Sequence, residues 1–328
     1  MNGLLANALR GCCGIVSIAM AASAYAIETN FPTKPVSIIV PFSAGGGSDT
    51  VARILAEGLS KQLKTPVIVE NKTGASGNIG AEYVSRASPG GHTLLFGSMG
   101  LMTVNSHLYK NMPFDPLKAF TGIARLYDTP HVIVANAKLP ITSLQKLIDE
   151  AKARPNQITF GSAGAGTSTH LVGELFMHET NTKLMHVPYK GNGPALTDVV
   201  AGHIDVMFDQ ATNSVSHIKA GNLHALAVTS KTRVGNLPDV PSVVELDFPE
   251  LETTSWTVLA APAGTPTPVI QRLSKAVEAA LNDESVKAKI EQTGGVVNYE
   301  GPEAANKLIA ADSERWGRLI KAAGISID

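Results

Sequence analysis

The chain contains the stretch Pro41-Phe42-Ser43-Ala44-Gly45-Gly46-Gly47-Ser48-Asp49-Thr50, which we call loop 1. Much later, a second stretch has nearly the same pattern, Gly161-Ser162-Ala163-Gly164-Ala165-Gly166-Thr167-Ser168-Thr169-His170, which we call loop 2. Each loop follows a short run rich in β-branched residues, 36–40 or 158–160, and precedes a helical apolar pattern. The order predicts a strand, a loop of small residues and a helix N-terminus, in two separate places.

Both loops are suited to hold a small anion. Glycine allows a ligand to approach the backbone closely, and the first turn of a helix offers unpaired N–H donors at its positive end. Neither loop contains Lys or Arg. If the loops face each other, main-chain N–H groups would grip an anion from two sides. Glycine and serine at helix starts also have a purely structural explanation, which stays open for each residue.

Residues 1–26 have the features of a signal peptide. Arg10 precedes the apolar run 11–22, and the small residues at 22–26 fit an A-x-A cleavage site. The run is too short to cross a bilayer, so a retained anchor is the weaker alternative. We expect cleavage near Ala26 and export of the chain from residue 27 onward.

The composition excludes several classes of protein. Both cysteines, Cys12 and Cys13, lie in the predicted leader, so the exported chain would have no disulfide, thiol nucleophile or cysteine metal site. The chain has 27 basic and 28 acidic residues, a formal net charge of −1, and no run of like charge. Nucleic acid and membrane surfaces are therefore not expected as partners.

Apolar β-branched runs alternate with amphipathic stretches, which is typical of an α/β protein. The predicted strands are 36–40, 67–70, 93–96, 131–135, 158–160, 206–208, 225–228 and 256–260. Helices are predicted after loop 1 to Leu63, and at 143–153, 168–178, 194–201, 268–282 and 302–322. In the last of these, we expect Trp316 to be a core residue.

The helix after loop 1 has one apolar stripe, with Ser48 or Asp49 as its predicted N-cap. Asp49 and Arg53 are four residues apart, so they could form an ion pair on the helix surface. A ligand role for Asp49 is the alternative, and the sequence leaves both open.

Known nucleotide and hydrolase motifs do not fit. No Lys follows either loop as a P-loop requires, and Thr50 and Thr169 stand where a dinucleotide fingerprint needs glycine. The segment Gly74-Ala75-Ser76-Gly77 has the wrong spacing for a hydrolase elbow. ATP, NAD and α/β-hydrolase chemistry are therefore disfavoured, and no cofactor is expected.

The nine histidines predict no metal site, since His203, Asp205 and His217 match no zinc spacing. His170 is the histidine we place near a binding site. It could make a structural hydrogen bond or contact a ligand.

Several segments resemble the receptors of tripartite tricarboxylate transporters, also called the Bug family of periplasmic solute-binding proteins. The segments that show it best are 31–49, 69–82, 161–171, 186–191, 194–198, 202–209 and 237–242, and the similarity extends over essentially the whole exported chain. The resemblance implies a periplasmic protein with a two-lobed Venus-flytrap (type II) fold that closes on a small organic acid. Dicarboxylates, tricarboxylates, amino-acid-like acids and aromatic acids all suit the family, and we expect the protein to be a monomer. It implies residues 27–128 and 230–328 in lobe 1 and 129–229 in lobe 2.

The resemblance also implies which residues contact the ligand. Phe42 would be a wall of the pocket, Ser98 would flank it, Asp209 would lie at the cleft mouth, and Tyr189 would line the far side. The segment 210–214 departs from the family pattern, which leaves the distal contacts open. The two N–H cradles and a neighbouring histidine complete the predicted site: Ser43, Ala44, Gly45, Gly46, Gly47, Ser48 and Asp49; Gly161, Ser162, Ala163, Gly164, Ala165, Gly166, Thr167 and Ser168; His170.

Two other functions stay open at this point. A sensor would present its closed form to a signalling partner instead of a membrane permease. A secreted enzyme acting on a small acid would need a general base, for which Asp49, Asp209 and His170 are the candidates.

Overall fold

A computed structural model describes residues 31–324 except Ser43, Gly46 and Lys190, and not the side chain of Ala323. The predicted signal peptide and its cleavage site lie outside the described residues, as do the predicted site residues Ser43 and Gly46.

Ten strands are described, and the first sheet has the order β2-β1-β3-β9-β4, with β10 on the other side of β4. Its strands are β1 (Val36–Val40), β2 (Val67–Asn71), β3 (Thr93–Ser98), β4 (Phe120–Asn136), β9 (Thr254–Pro262) and β10 (Val296–Glu300). β1 pairs in parallel with β2 and β3, so these three strands end at the same edge of the sheet. β9 runs antiparallel to both β3 and β4.

β4 belongs to two sheets, because its partners change along its length. Phe120 to Pro130 pair with β9, whereas the part from His131 onward pairs with β7 and β8. The second sheet contains β5 (Thr159–Ser162), β6 (Met185–Pro188), β7 (Val206–Gln210) and β8 (Leu223–Val228). β5 is parallel to β6 and β7. We call the unit around the first sheet lobe 1 and that around the second sheet lobe 2.

The chain crosses between the lobes first within β4, and again between β8 and β9. The second crossing is held by main-chain and hydroxyl hydrogen bonds between Thr229 and Thr253. The predicted lobe boundaries, 128/129 and 229/230, fall near these crossings, although the partition itself stays a prediction.

The α-helices of lobe 1 and lobe 2 follow the strands in the expected alternation. They are α1 (Gly47–Leu63), α2 (Asn78–Ser85), α3 (Asn105–Leu108), α4 (Pro116–Ala119), α5 (Leu144–Ala153), α6 (Ser168–Thr180), α7 (Asn192–Ala201), α8 (Ala211–Lys219), α9 (Thr267–Leu281), α10 (Glu284–Gln292) and α11 (Pro302–Ala323). A π-helical turn, Gly100–Val104, joins β3 to α3.

Apolar side chains fill both faces of the sheets. Leu55 and Leu59 of α1 pack with Leu273 of α9 on one face of the first sheet. The largest cluster includes Phe160 and Phe176 of lobe 2 together with Trp316 of α11. The prediction that Trp316 belongs to the core is confirmed, because its side chain is almost fully buried.

The α/β prediction is confirmed. Each predicted strand and helix is present, β1 with its predicted bounds and most of the others with shifted ends. The strand predicted at 131–135 is only the last part of β4, because Arg125, Asp128 and Pro130 interrupt the apolar pattern before it. The sequence missed β6 and β10, two strands that are half-exposed, and the short helices α2, α3, α4, α8 and α10.

Candidate functional site

Loops 1 and 2 have equivalent places in the two lobes. Loop 1 leaves the carboxyl end of β1 and enters α1, and loop 2 leaves the carboxyl end of β5 and enters α6. In open α/β sheets this edge is where ligands bind. Lobe 1 touches loop 2 at this edge, because a Cβ atom added to Gly166 would lie 2.5 Å from Leu108 Cδ1.

The Asp49 side chain holds loop 1 in shape. Its carboxylate accepts hydrogen bonds from the Gly45 N–H (2.9 Å), the Asn71 amide (2.9 Å) and the Arg53 guanidinium (3.0 Å). Asn71 also donates to the Phe42 carbonyl (3.0 Å). The ion pair with Arg53, left open by the sequence, is therefore present, and the Asp49 residue is only 4% exposed.

These donors favour the ionised form of Asp49. The hydrogen bond from Arg53, with those from Gly45 and Asn71, lowers the pKa of Asp49 to about 2, although burial acts against them. The prediction that Ser48 or Asp49 is the N-cap is wrong, because α1 begins at Gly47 and both residues lie in its first turn. Asp49 instead folds back onto the loop.

The start of α1 is open to a ligand. No atom lies within 4 Å of a Cβ added to Gly45 or Gly47, and Gly45 has φ +80°. Ala44, Gly45 and Gly47 are exposed and Ser48 is half-buried. The N–H groups of Gly47, Ser48 and Asp49 are those that a helix leaves without an intrahelical acceptor. Loop 1 thus offers main-chain donors beside open space.

Loop 2 uses several of its own N–H groups internally. The described acceptors are Thr169 Oγ1 for Ala163 (2.9 Å), Ser162 Oγ for Gly164 (3.1 Å), His170 Nδ1 for Gly166 (3.1 Å) and the Gly164 carbonyl for Thr167 (3.2 Å). The predicted cradle of loop 2 is therefore narrower than eight residues. Ala165, which is exposed, and Ser168, the first residue of α6, are the better placed donors.

Two predicted members of the loop 2 cradle belong to the strand. Gly161 and Ser162 are buried in β5, and a Cβ added to Gly161 would lie 3.5 Å from Ala195 of α7. Ser162 is fully buried and positions other loop atoms through its hydroxyl. Both residues lie behind the cradle, contrary to the prediction that they form part of it.

His170 supports loop 2 from behind. Its Nδ1 accepts the Gly166 N–H, its Nε2 lies 3.2 Å from a Glu174 carboxylate oxygen, and only 5% of the residue is exposed. The ring stacks on His186 with centroids 4.0 Å apart. Of the two roles considered for His170, the structural hydrogen bond is the one present.

The remaining predicted contacts differ in their exposure. Phe42 is half-buried against the apolar cluster around α1, and Ser98 is half-buried at the end of β3. Tyr189 lies behind loop 2. Its hydroxyl donates to Asp198 (2.6 Å), its N–H donates to the Ser162 carbonyl, and burial raises its pKa to about 12.

Asp209, the predicted contact at the cleft mouth, does not reach the surface in this structure, so its ligand contact stays a prediction. Asp209 is fully buried in β7, and its carboxylate accepts hydrogen bonds from Ser214 (2.6 Å) and Asn213 (3.1 Å) of α8. Burial raises the pKa of Asp209 to about 6 against these donors. The side chain tethers the first turns of α8 to the strand.

The sequence analysis missed a third loop at the same edge. After β2, Ala75, Ser76 and Gly77 all have positive φ, and the Ser76 hydroxyl accepts a hydrogen bond from Tyr109 (2.8 Å). A Cβ on Gly80 would lie 2.9 Å from Pro41, so α2 packs directly against the start of loop 1. The Gly-Ala-Ser-Gly stretch, which lies within the family-like segment 69–82, was the available signal, but no place in the site was assigned to it.

Two large cavities lie away from the loops. One, of about 300 Å³, lies between α6 and α11 and includes Trp316 in its wall. The other, of about 820 Å³, lies at the crossing between the lobes and is lined by Arg125, Asp128 and the segment 230–236.

Within the described residues, no group of three or more His, Cys, Asp or Glu side chains could hold a metal ion. No helix in that same part of the chain has the length and apolar character needed to span a membrane.

Comparisons with known proteins identify what the chain is similar to. A family model described as the tripartite tricarboxylate transporter family receptor matches residues 51–325. The solved periplasmic binding protein BugD is 36% identical, with a TM-score of 0.78 over 90% of this chain and 100% of that one. A protein of R. palustris solved with adipate is 33% identical, with a TM-score of 0.81 over 90% and 100%.

A third solved structure, MatC from Rhodopseudomonas palustris with bound malate, is 31% identical to this chain. Its TM-score is 0.78 over 88% of this chain and 100% of that one. Since these neighbours share the fold over their whole length, the predicted two-lobed architecture of a periplasmic binding protein is confirmed.

Proposed function

The chain belongs to the family of tripartite tricarboxylate transporter receptors, and we propose that it captures a small dicarboxylate in the periplasm for a permease of that type. It is a solute-binding receptor, as the resemblance of its sequence predicted. Adipate and malate, the acids bound by two of its solved relatives, are both dicarboxylates. The ligand class proposed for this chain follows from these two acids.

The donors for one carboxylate would come from both lobes. Gly47 and Ser48 begin α1, a helix of 17 residues, and Ser168 begins α6, a helix of 13 residues. Both N-termini offer N–H groups and partial positive charge. Bridging water would complete the hydrogen bonds, which gives adequate affinity and still permits release.

One observation carries this proposal: loop 1 is held ready by the Asp49 carboxylate, with the first turn of α1 open beside it. A prearranged loop loses less conformational entropy when a ligand binds. Arg53, the cation four residues after Asp49, is already paired with that carboxylate. We therefore assign recognition of a ligand carboxylate to the main-chain dipoles of the loops.

The alternative that the protein is an enzyme is weakened, because all three candidate general bases are buried or hydrogen-bonded to other protein groups. Asp49 accepts hydrogen bonds from three residues, Asp209 is fully buried, and both ring nitrogens of His170 face protein atoms. The sensor alternative shares the site with the receptor. Capture of permease subunits or of a signalling protein by the closed, acid-bound form would distinguish these two roles.

Gly47→Val tests the open helix start. The added side chain meets no protein atom within 4 Å at its Cβ, so we expect normal folding but steric obstruction of the first N–H donors. Adipate affinity measured by calorimetry should fall by about tenfold or more, about 1.4 kcal/mol.

Gly235→Val is the matched control, because its Cβ position is equally open but lies at the crossing between the lobes. Equal adipate affinity in Gly47→Val, Gly235→Val and the unaltered protein would refute the proposed N–H site. Succinate and glutarate would extend the measurement to shorter acids, and a diamide of adipate would test the need for charge.

A further inference from the structure

Two imidazole rings lie against the back of loop 2, and neither has a role in the binding scheme above. His170 and His186 stack with centroids 4.0 Å apart and planes inclined by 23°, and Phe160 stacks on His186 at 4.8 Å. His186 Nε2 lies 2.6 Å from the Ser162 hydroxyl. The two rings thus reach the loop through Ser162 on one side and Gly166 on the other.

The hydrogen bonds define the protonation state of His170. The Gly166 N–H can only donate, so Nδ1 of His170 must be the acceptor and carries no proton. In a neutral ring the proton is then on Nε2, which faces Glu174 Oε1 at 3.2 Å. His170 is therefore neutral, in the Nε2–H tautomer, whenever loop 2 has the described shape.

We propose that neutral His170 is a positioning residue of the binding site, which fixes the loop 2 donors through Gly166, so that acid binding is coupled to loss of a proton from this ring. The inference rests on the proposed function, because it concerns the same two loops. It adds a pH response of the affinity that the N–H cradle alone would not have.

Protonation of His170 would place two donors against each other. Nδ1–H and the Gly166 N–H would face each other across the present 3.1 Å, so the loop would have to move. Gly166 has little freedom to move toward lobe 1, since Leu108 already closes the space above it. The Ala165 and Ser168 donors beside it would then leave their binding positions.

The groups that face His170 act in opposite directions. Glu174 on α6 would stabilise the charged ring, whereas the stacked His186 on β6 would be repelled by it if charged. Burial, together with His170, lowers the pKa of His186 to about 4, so His186 is neutral near neutral pH.

The test compares His170→Asn with His170→Ala. An asparagine Oδ1 can replace Nδ1 as the acceptor of the Gly166 N–H but cannot be protonated in this range, whereas alanine provides no acceptor. Adipate affinity is measured by calorimetry from about pH 8 to about pH 5, the range in which imidazoles usually titrate. Adipate is itself protonated toward pH 5, and this lowers the measured affinity of the wild type and of His170→Asn equally. The ratio of the two affinities therefore reports the His170 ring alone.

We expect His170→Asn to restore most of the affinity that His170→Ala loses at pH 8. Toward pH 5, wild-type affinity should fall relative to His170→Asn by up to about tenfold per pH unit, the limit for one linked proton. Parallel pH profiles for the wild type and His170→Asn would overturn the inference.

A measurement without ligand separates this inference from the proposed function. Long-range ¹H–¹⁵N spectra of ¹⁵N-histidine-labelled protein at pH 7.5, assigned with His170→Asn, report the tautomer. The Nε2–H form supports the inference even if adipate does not bind, which would count only against the proposed function. An Nδ1–H or charged ring would contradict the inference whatever the ligand result.

Discussion

Loop 1 and loop 2 have nearly the same sequence pattern but are supported by different chemistry. Loop 1 is held by a charged group, the Asp49 carboxylate, which binds Gly45 N–H, Asn71 and Arg53. Loop 2 is held by neutral side chains, namely Ser162, Thr169 and His170. A shared glycine pattern therefore specifies a strand, a loop and a helix start, without specifying what fixes the loop.

The two loops also differ in how many N–H groups they leave for a ligand. In loop 2, side chains of the same loop accept the N–H groups of Ala163, Gly164 and Gly166. In the described part of loop 1, a side chain accepts the N–H group of Gly45. The open space lies above loop 1, at Gly45 and Gly47. We infer that loop 1 contributes the larger share of donors and that loop 2 closes over them.

Among the variants that test this difference between the loops, Asp49→Ala should cause the largest loss of stability. It leaves the Gly45 N–H and the Asn71 amide without their acceptor and removes the partner of Arg53. Loss of hydrogen bonds to a buried charged group predicts destabilisation by about 3 kcal/mol in urea unfolding, together with weaker adipate binding. The result would show that the charge of loop 1 supports the fold as well as the site.

Glu150→Ala is the control for Asp49→Ala. Glu150 pairs with Arg154 at the same spacing of four residues, but both side chains are well exposed. Its removal should cost no more than about 0.5 kcal/mol. If Asp49→Ala costs equally little, the described hydrogen bonds of Asp49 do not hold loop 1.

Gly166→Ala tests the support of loop 2, with Gly221→Ala as its control. The two glycines have nearly equal φ, +78° and +74°, but only the Gly166 Cβ would meet an atom, Leu108 Cδ1 at 2.5 Å. We expect about 1 kcal/mol of destabilisation for Gly221→Ala from backbone strain, and about 2 kcal/mol more for Gly166→Ala from overpacking.

The double variant Gly166→Ala, Leu108→Ala isolates the contact between the lobes. If the steric account is right, the Gly166→Ala change should cost about 1 kcal/mol in the Leu108→Ala background, as it does at Gly221. An unchanged cost of Gly166→Ala in that background would place the strain in the loop itself and not at Leu108.

How far the sequence predicts this molecule depends on the range of the interactions. The strand, loop and helix starts are local, so their patterns located β1, β5, α1 and α6 correctly. The partners of Asp49 illustrate the limit: Arg53 is four residues away and was one of the two alternatives for Asp49, but Asn71 is on the neighbouring strand β2 and was not considered. His186 lies in the family-like segment 186–191, but its contact with loop 2 was not predicted for the same reason, since it reaches that loop from β6.

Burial was the other property that the sequence did not reveal. The family resemblance implied that Asp209 lies at the cleft mouth, whereas the structure buries it completely beneath α8. That helix was missed because its first residues, Ala211 to Ser214, are small and polar. An unpredicted helix thus covers a carboxylate whose strand was correctly located.

The smallest predicted effects concern the change of stability with pH. The two buried aspartates, Asp49 and Asp209, change the free energy of unfolding in opposite directions as the pH rises. The pKa of Asp49 is lowered to about 2, so its contribution to stability is present above the unfolded pKa near 4 and is lost as the pH falls toward 2. The pKa of Asp209 is raised to about 6, so the folded state holds a proton that the unfolded state releases between about pH 4 and 6. Asp209 therefore lowers stability as the pH rises through that window.

Urea unfolding of Asp49→Asn and Asp209→Asn between about pH 3 and pH 7 separates these two contributions. Relative to the wild type, Asp49→Asn should be most destabilising at neutral pH and lose that disadvantage as the pH falls below 4. Asp209→Asn should improve relative to the wild type as the pH rises from 4 to 6, because the amide has no proton to release. Parallel curves for Asp209→Asn and the wild type would mean that the hydrogen bonds from Ser214 and Asn213 offset the effect of burial, and that of these two aspartates just Asp49 makes stability depend on pH.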